Sequence, residues 1–157
     1  MTGTTWLTED QQRAWRAFLR MQGQLAARLN RQLQTDSGLS LADYDVLVQL
    51  TDSPEGRRRP YELQKFLQWE QSRLSHHLSR MQRRGLVARD DCVADGRGAY
   101  IVITEAGRAA IEAAAPGHVD TVRQLFFDGL DQDQVTALEH LSARILGRLD
   151  AADPRNT

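Results

Sequence analysis

The chain has 157 residues, of which 41% are apolar and 26% charged, a composition typical of a folded protein and unlike that of disordered or fibrous chains. It has no run of about 18 apolar residues, and its first seven residues lack the basic and apolar regions of a signal peptide, so neither a membrane span nor secretion is expected. Its single cysteine, Cys92, excludes an internal disulfide and fits a cytoplasmic protein.

The net charge of −1 conceals an uneven distribution of charge along the chain. Residues 1–55 carry 5 basic and 7 acidic groups, residues 56–108 carry 11 and 6, and residues 109–157 carry 4 and 8. The middle third is therefore positively charged although the whole chain is weakly acidic. A basic segment of this kind is typical of a surface that binds nucleic acid.

Two helices are predicted before the basic segment. Apolar residues recur every three to four positions from Glu9 to Leu33, which indicates a long amphipathic helix capped near Thr8 and ended by Gly38. The segment Ser40–Asp43 has the spacing of a capping box and predicts the start of a second helix. The inner face of that helix is expected to hold Tyr44, Leu47, Val48 and Leu50.

Two shorter helices follow, joined by a tight turn. After a loop at 52–56 and a short edge strand at 57–59, Pro60 is expected at the first position of a helix that ends at Leu67. Residues 68–70 form the turn before the next helix, a helix-turn-helix arrangement. The inward residues of the first short helix are predicted to be Leu63, Phe66 and Leu67.

The stretch from residue 71 to 87 is the most informative part of the sequence. Wound at about 100° per residue, it gathers Leu74, Leu78 and Met81 within a sector of about 60°. Hydrogen-bonding and cationic residues occupy the opposite half, a surface that suits the major groove of DNA. This stretch alone favours an ordinary solvated amphipathic helix, and the segment that follows it in the chain reverses that balance.

That following segment predicts a β-hairpin. Gly85 is expected to end the helix in a left-handed conformation, and an extended segment, a turn at 91–98 and a β-branched strand at Tyr100–Ile103 come after it. Arg97 lies between two glycines at the tip, where a guanidinium can reach into a narrow minor groove. A basic helix followed by such a hairpin predicts DNA binding.

The last third of the chain is helical and acidic. Thr104 is expected to cap a helix that contains Pro116, so residues 106–128 form either one kinked helix or two. The capping-box pattern Asp131–Gln134 predicts a last helix, whose apolar face comprises Val135, Leu138, Leu141, Ile145 and Leu149. The first helix and these last helices carry more apolar residues than a core of roughly 60 residues can cover, so self-association is expected.

The order of elements resembles that of the MarR family of bacterial transcriptional regulators from about residue 8 to residue 150. The resemblance implies a mainly α fold with a small β-hairpin: a winged helix-turn-helix domain at 37–104 flanked by dimerisation helices at 1–36 and 105–157. It also implies a homodimer, palindromic double-stranded DNA sites and release of DNA by a small, often aromatic effector. The motifs that carry the resemblance lie at 41–47, 72–81, 83–87, 95–97 and 103–107.

Roles on the DNA side follow from position along the helix. Outward residues of its N-terminal half are expected nearest the base edges, with Arg73 able to contact guanine, and later arginines are expected at phosphates. Arg97 is the predicted minor-groove contact, and Asp95 resembles the family's wing carboxylate, which holds the hairpin through an arginine. The predicted DNA-binding residues are Ser72, Arg73, Ser75, His76, Ser79, Arg80, Arg83, Arg84 and Arg97.

A ligand pocket is a further candidate site, although its spacing also fits an ordinary core. Adjacent His76 and His77 point about 100° apart and are poorly placed to share a metal, so no metal or cofactor is expected. Cys92 is interpreted as a structural or exposed thiol, since the oxidant-sensing cysteine of some family members lies in the first helix. The candidate pocket residues are Trp15, Phe18, Met21, Tyr44, Leu47 and His118.

No catalytic motif is present, and an enzyme is not predicted. The alternative function from another class is a winged-helix module that docks a protein, with the basic charge incidental. A docking wing more often exposes apolar residues, whereas this sequence places Arg97 there.

Overall fold

The computed structural model describes residues 3–91, 96 and 98–153. These residues form six α-helices and a three-stranded antiparallel sheet. The chain divides into two compact units, Met1–Val119 and Asp120–Thr157. In chain order the elements are α1 (Glu9–Ser37), α2 (Leu41–Thr51), β1 (Arg57–Arg58), α3 (Pro60–Leu67), α4 (Gln71–Arg83), β2 (Val87–Asp90), β3 (Tyr100–Ile103), α5 (Glu105–Val122), a π-helical turn (Arg123–Phe127) and α6 (Gln132–Ala151).

Both predicted caps of the first two helices are confirmed. Thr8 and Gln11 form a capping box at the start of α1, and Ser40 and Asp43 form another at the start of α2. Each box satisfies backbone N–H groups that have no partner within the helix. Gly38 ends α1 with a φ of 71°, a left-handed conformation that favours glycine.

Helix α2 lies at the centre of the core. Tyr44, Leu47 and Leu50 are buried as predicted, and Val48 is half-buried. Val46 is also fully buried, which the predicted inner face did not include. Helix α2 is enclosed by α1, α3 and the sheet, so it buries residues on more than one face. The spacing of its apolar residues predicts only one of these faces.

The sheet has the strand order β1-β3-β2, so β1 is the edge strand that the sequence predicts. Arg57 lies opposite Val102 in the β1-β3 pair, and Val87 lies opposite Ile103 in the β2-β3 hairpin. Ile101 and Ile103 turn inward from β3. The hairpin is therefore fixed to the core by alternate residues of β3, which is the central strand of the sheet.

Pro60 begins α3 as predicted, and Leu63 is fully buried. The prediction that Phe66 faces inward is wrong, since its side chain is 53% exposed. Its ring lies beside β1, where the guanidinium carbon of Arg58 sits 4.5 Å from the ring centroid. The Phe66 ring therefore makes a cation–π contact with Arg58 instead of packing in the core.

The start of α5 packs closely against the start of the hairpin. Gly85 adopts a φ of 76° after α4, as the sequence predicts. The Thr104 hydroxyl donates to the Gly85 carbonyl at 2.6 Å and accepts from the Gly107 N–H at 2.9 Å. A side chain at Gly107 would collide with the Leu86 carbonyl, so glycine lets α5 pack directly on the start of the hairpin.

One helix, α5, continues through Pro116 to Val122, which decides between the two alternatives for this segment. In the second unit, Asp131 caps α6 through a capping box with Gln134, as predicted. The large apolar residues on α6 are exposed: Leu141, Ile145, Leu146 and Leu149. Among the described helices, none has both the length and the apolar character needed to cross a membrane.

Candidate nucleic-acid interface

Helix α4 is attached to the core by one apolar stripe. Leu74, Leu78 and Met81 are 2%, 7% and 0% exposed. Burial of three such side chains stabilises the packed helix by several kcal/mol, on the order of 2 kcal/mol each. The outward polar residues all remain exposed on the other side: Ser72, Arg73, Ser75, His76, Ser79, Arg80 and Arg83.

Arg73 occupies the first turn of α4 and contacts the preceding turn of the chain. Its guanidinium carbon lies 4.3 Å from the ring centroid of Trp69. Trp69 is half-buried and packs against the hydrophobic core. The predicted guanine-reading arginine is therefore exposed but rests on an anchored aromatic ring.

A buried carboxylate connects α2 to α4. Asp43 Oδ1 lies 2.9 Å from His77 Nε2, and Oδ2 accepts from Arg84 Nη1 at 2.6 Å and from the Ser40 N–H at 2.9 Å. Burial by itself would raise the pKa of Asp43, but the hydrogen bonds from His77, Arg84 and Ser40 outweigh it and hold the pKa well below its usual range. Asp43 is therefore an ionised group inside the fold.

This cluster includes Arg84, one of the predicted phosphate contacts. Besides Asp43, its guanidinium donates to the Gly38 carbonyl at 3.0 Å. The side chain is about half exposed, yet these bonds direct it to the end of α1 and the start of α2. Its neighbour Arg83 is exposed at the last turn of α4.

His77 is nearly buried, as the sequence predicts for a packed histidine. Arg80 Nη2 lies 3.2 Å from His77 Nδ1, and a guanidinium nitrogen can only donate. Nδ1 is therefore the acceptor, and the ring proton belongs on Nε2, which faces Asp43. The carboxylate, the imidazole and Arg80 form one connected set of polar contacts along α4.

A buried cation supports the hairpin. Arg59 is 4% exposed and its guanidinium carbon lies 4.4 Å from the ring centroid of Tyr100. It donates to the Gly98 carbonyl at 3.4 Å and to the Tyr100 hydroxyl at 3.3 Å. Arg57 contacts the same ring at 4.3 Å. The sequence suggested only a short strand for these arginines, and no signal in it distinguishes Arg59 from its two arginine neighbours.

The predicted wing contacts lie outside the described residues. Arg97, Asp95 and Cys92 fall there, so their roles stay predictions. The flanking glycines Gly96 and Gly98 have φ values of 69° and 88°. A groove of about 570 Å³ separates the hairpin from α3 and α4, and its lining includes Gln64, Ser75, Ser79 and Arg89.

The six candidate pocket residues fall into separate groups. Trp15 and Phe18 stack on each other on the exposed side of α1, with ring centroids 5.9 Å apart, and Met21 is also exposed. Leu47 is fully buried. The structure brings together Tyr44 of α2 and His118 of α5, with ring centroids 4.3 Å apart.

Burial lowers the pKa of His118, which favours the neutral imidazole. Its Nδ1 is buried with no hydrogen-bond partner among the described residues. The same residues contain no group of three or more histidine, cysteine, aspartate or glutamate side chains placed to hold a metal ion.

Comparison with known proteins identifies the family. AbsC, a MarR family transcriptional regulator from Streptomyces coelicolor, is 37% identical to this chain with a TM-score of 0.88, over 94% of this chain and 99% of AbsC. The chain belongs to the MarR family of transcriptional regulators. Sco3205, a MarR family regulator from the same organism solved in complex with DNA, is 38% identical with a TM-score of 0.88, over 98% of this chain and 94% of Sco3205.

The MarR family model itself matches residues 37–98, which run from the end of α1 to the hairpin. CouR from Rhodococcus jostii, solved with bound p-coumaroyl-CoA, is 23% identical with a TM-score of 0.72, over 82% of this chain and 88% of CouR, and shares the fold. A comparison with curated proteins gave no match. The predicted family and the predicted winged-helix fold are both confirmed.

Proposed function

We propose that this MarR family protein is a homodimeric repressor that binds palindromic double-stranded DNA through α4. The observation that carries the proposal is the division of α4 into a buried apolar stripe and an exposed face of seven polar or cationic side chains. A helix held in this way fits the major groove. The relative Sco3205, solved with DNA, supports the same use of the fold.

Within this face the residues divide by position. Ser72, Arg73, Ser75 and His76 lie in the first half of α4 and are assigned to base edges. Ser79 is assigned to the same DNA surface, and Arg80 and Arg83 to phosphates. We assign Arg84 to bracing α4 on α2, because its guanidinium is bonded to Asp43 and the Gly38 carbonyl.

The hairpin is the proposed minor-groove element. Arg97 is assigned to the groove, and Asp95 to holding the hairpin. Support comes from the described neighbours, since Arg59 fixes the Gly98 carbonyl and the Tyr100 side chain at the base of the tip.

The terminal helices are the proposed dimer interface, with 37–104 as the DNA-binding domain between flanks at 1–36 and 105–157. Large apolar side chains on α1 and α6 are exposed, which a second copy of the chain would cover. Two-fold symmetry then places two α4 helices about 34 Å apart, in successive major grooves. The expected partner is double-stranded DNA, and the expected location of the protein is the cytoplasm.

A small aromatic effector is proposed to release the DNA. Tyr44 and His118 are the pair of predicted pocket residues that meet across α2 and α5, and they offer ring surfaces and a buried imidazole nitrogen. The relative with bound p-coumaroyl-CoA supports an aromatic acyl ligand for the fold.

The test is DNA affinity measured across salt concentrations. Arg80 and Arg83 in two chains give about four phosphate contacts, so the logarithm of affinity is expected to fall with a slope of about −4 or steeper against the logarithm of salt. Absence of DNA binding would contradict the proposal and favour the protein-docking alternative. Binding without sequence preference would instead indicate an architectural protein.

A further inference from the structure

Trp69 has a place in the fold that the helix-turn-helix itself does not require. It lies one residue before Glu70, the N-cap of α4, and its ring packs against the core cluster that includes Leu74. These are the positions of a hydrophobic staple, in which the residue just before the N-cap packs against the fourth residue after the N-cap. A smaller apolar side chain would serve the staple equally well.

The aromatic ring also makes a contact with Arg73 that an aliphatic side chain cannot make. Arg73 lies with its guanidinium carbon 4.3 Å from the Trp69 centroid, within the range of a cation–π contact. This contact uses the ring face and none of the five guanidinium N–H donors. The donors of Arg73 therefore stay available for a two-pronged contact with guanine O6 and N7.

The Trp69 ring also contacts the ring of His77. The ring of His77, one turn after Arg73 on α4, is 5.3 Å from the Trp69 ring at an interplanar angle of 81°. Nε2 of His77 lies 2.9 Å from Asp43 Oδ1, and its Nδ1 lies 3.2 Å from Arg80 Nη2. The contacts thus run without a gap from the buried carboxylate through His77 and Trp69 to Arg73.

We propose that Trp69 is a positioning residue that presets the Arg73 guanidinium for base reading. The proposal rests on the proposed function of α4. An exposed arginine without such support samples many rotamers and loses that freedom on binding, whereas a preset arginine has already lost it. Because random DNA offers no matching base to Arg73, the benefit is expected for the preferred site alone.

The experiment compares two variants on a site selected from a random DNA pool and on a random duplex. Trp69→Leu keeps an apolar anchor and removes the ring face, and we expect the ratio of the two affinities to fall about tenfold. Trp69→Phe keeps a ring and should restore the ratio to within about threefold of the wild type. Phe66→Leu is the matched control, since it removes another aromatic ring under an arginine, and should leave the ratio unchanged.

Two further readouts separate positioning from simple support of the fold. In an Arg73→Ala background, Trp69→Leu should lower the ratio no further, because the side chain it positions is gone. In the free protein, NMR should show the Arg73 side-chain Nε–H proton shifted upfield by the indole ring, with the shift lost in Trp69→Leu. A residue that only supports the fold would weaken both DNAs equally in either background.

The outcomes distinguish this proposal from the function on which it rests. If the wild type selects no site, the proposed function fails and the role of Trp69 in base reading fails with it. If the wild type selects a site and Trp69→Leu keeps the full affinity ratio, only the role of Trp69 is overturned. Absence of the upfield shift in the wild type would also overturn it.

Discussion

Helices α4 and α6 are both amphipathic, yet they bury their apolar residues to opposite extents. Leu78 of α4 is 7% exposed, whereas Ile145 and Leu149 of α6 are 56% and 61% exposed. Helix α4 completes its packing inside its own chain and leaves only polar groups outside. Helix α6 has exposed apolar side chains, and we interpret this surface as the place of a second chain.

Helix α1 combines both situations along its length. Leu33, near its C-terminal end, is fully buried in the core, while Trp15 and Phe18 near its start are about half exposed. The proposed DNA-binding helix α4 therefore packs within one chain, and we assign the exposed apolar residues of α1 and α6 to the proposed dimer interface.

The largest effect is expected from a charge placed on the exposed apolar face of α6. Ile145→Glu would bury a carboxylate in the proposed dimer interface, at a cost of about 3 kcal/mol or more for each chain. Sedimentation velocity should show monomers, and affinity for a palindromic site should fall at least about hundredfold, because each half-site is then bound separately.

His140→Glu is the control for this change, since it adds the same carboxylate to an exposed position of α6 on the side opposite the apolar residues. It should leave the dimer intact. A dimer that survives Ile145→Glu with its DNA affinity unchanged would show that α6 is not part of the interface.

The next effect is expected on the packing of α4 itself. Asp43→Asn removes the buried charge that binds His77 and Arg84, and should lower the free energy of unfolding by about 2 kcal/mol at pH 7. Urea denaturation measures this change. Asp52→Asn, at the exposed end of the same helix, should leave stability nearly unchanged.

The same pair of proteins predicts a pH dependence. The folded pKa of Asp43 is below its unfolded value, so its stabilising effect is present above about pH 4 and declines as the pH falls further, when the unfolded chain takes up the proton. The difference in stability between wild type and Asp43→Asn should therefore shrink between pH 5 and about pH 3. A constant difference over that range would mean that the carboxylate charge is not what stabilises the cluster.

The smallest effects separate two neighbouring arginines. Arg84→Ala should lower the free energy of unfolding by about 1 kcal/mol, a modest value because the side chain is about half exposed, and should leave the salt dependence of DNA binding unchanged. Arg83→Ala should do the opposite, reducing the salt slope by about one for each chain at unchanged stability. The reverse pattern would return Arg84 to the phosphate contacts.

The elements themselves could be predicted because their signals are local. Caps at Thr8, Ser40 and Asp131 satisfy backbone groups within a few residues, and the stripe of α4 follows helical spacing, so all of these are confirmed. The prediction for Phe66 fails because spacing places it at the border of a short helix, and the neighbouring Arg58 on β1 decides its exposure.

The polar contacts of the candidate site could not be predicted, because their partners are distant in sequence. Asp43 and Arg84 are separated by 41 residues, as are Arg59 and Tyr100. Asp43 also fits a capping box, and this local role accounts for its presence without reference to α4. Only the fold brings these charges together.

Selection of binding sites from a random DNA pool, at physiological salt, tests the central claim most directly. A homodimer that reads DNA through α4 predicts enrichment of a palindrome whose half-sites lie about ten base pairs apart, and Arg73→Ala should relax the preference at one or two positions in each half-site. Enrichment of a single half-site would contradict the dimer. Failure to enrich any sequence would contradict sequence-specific recognition by α4.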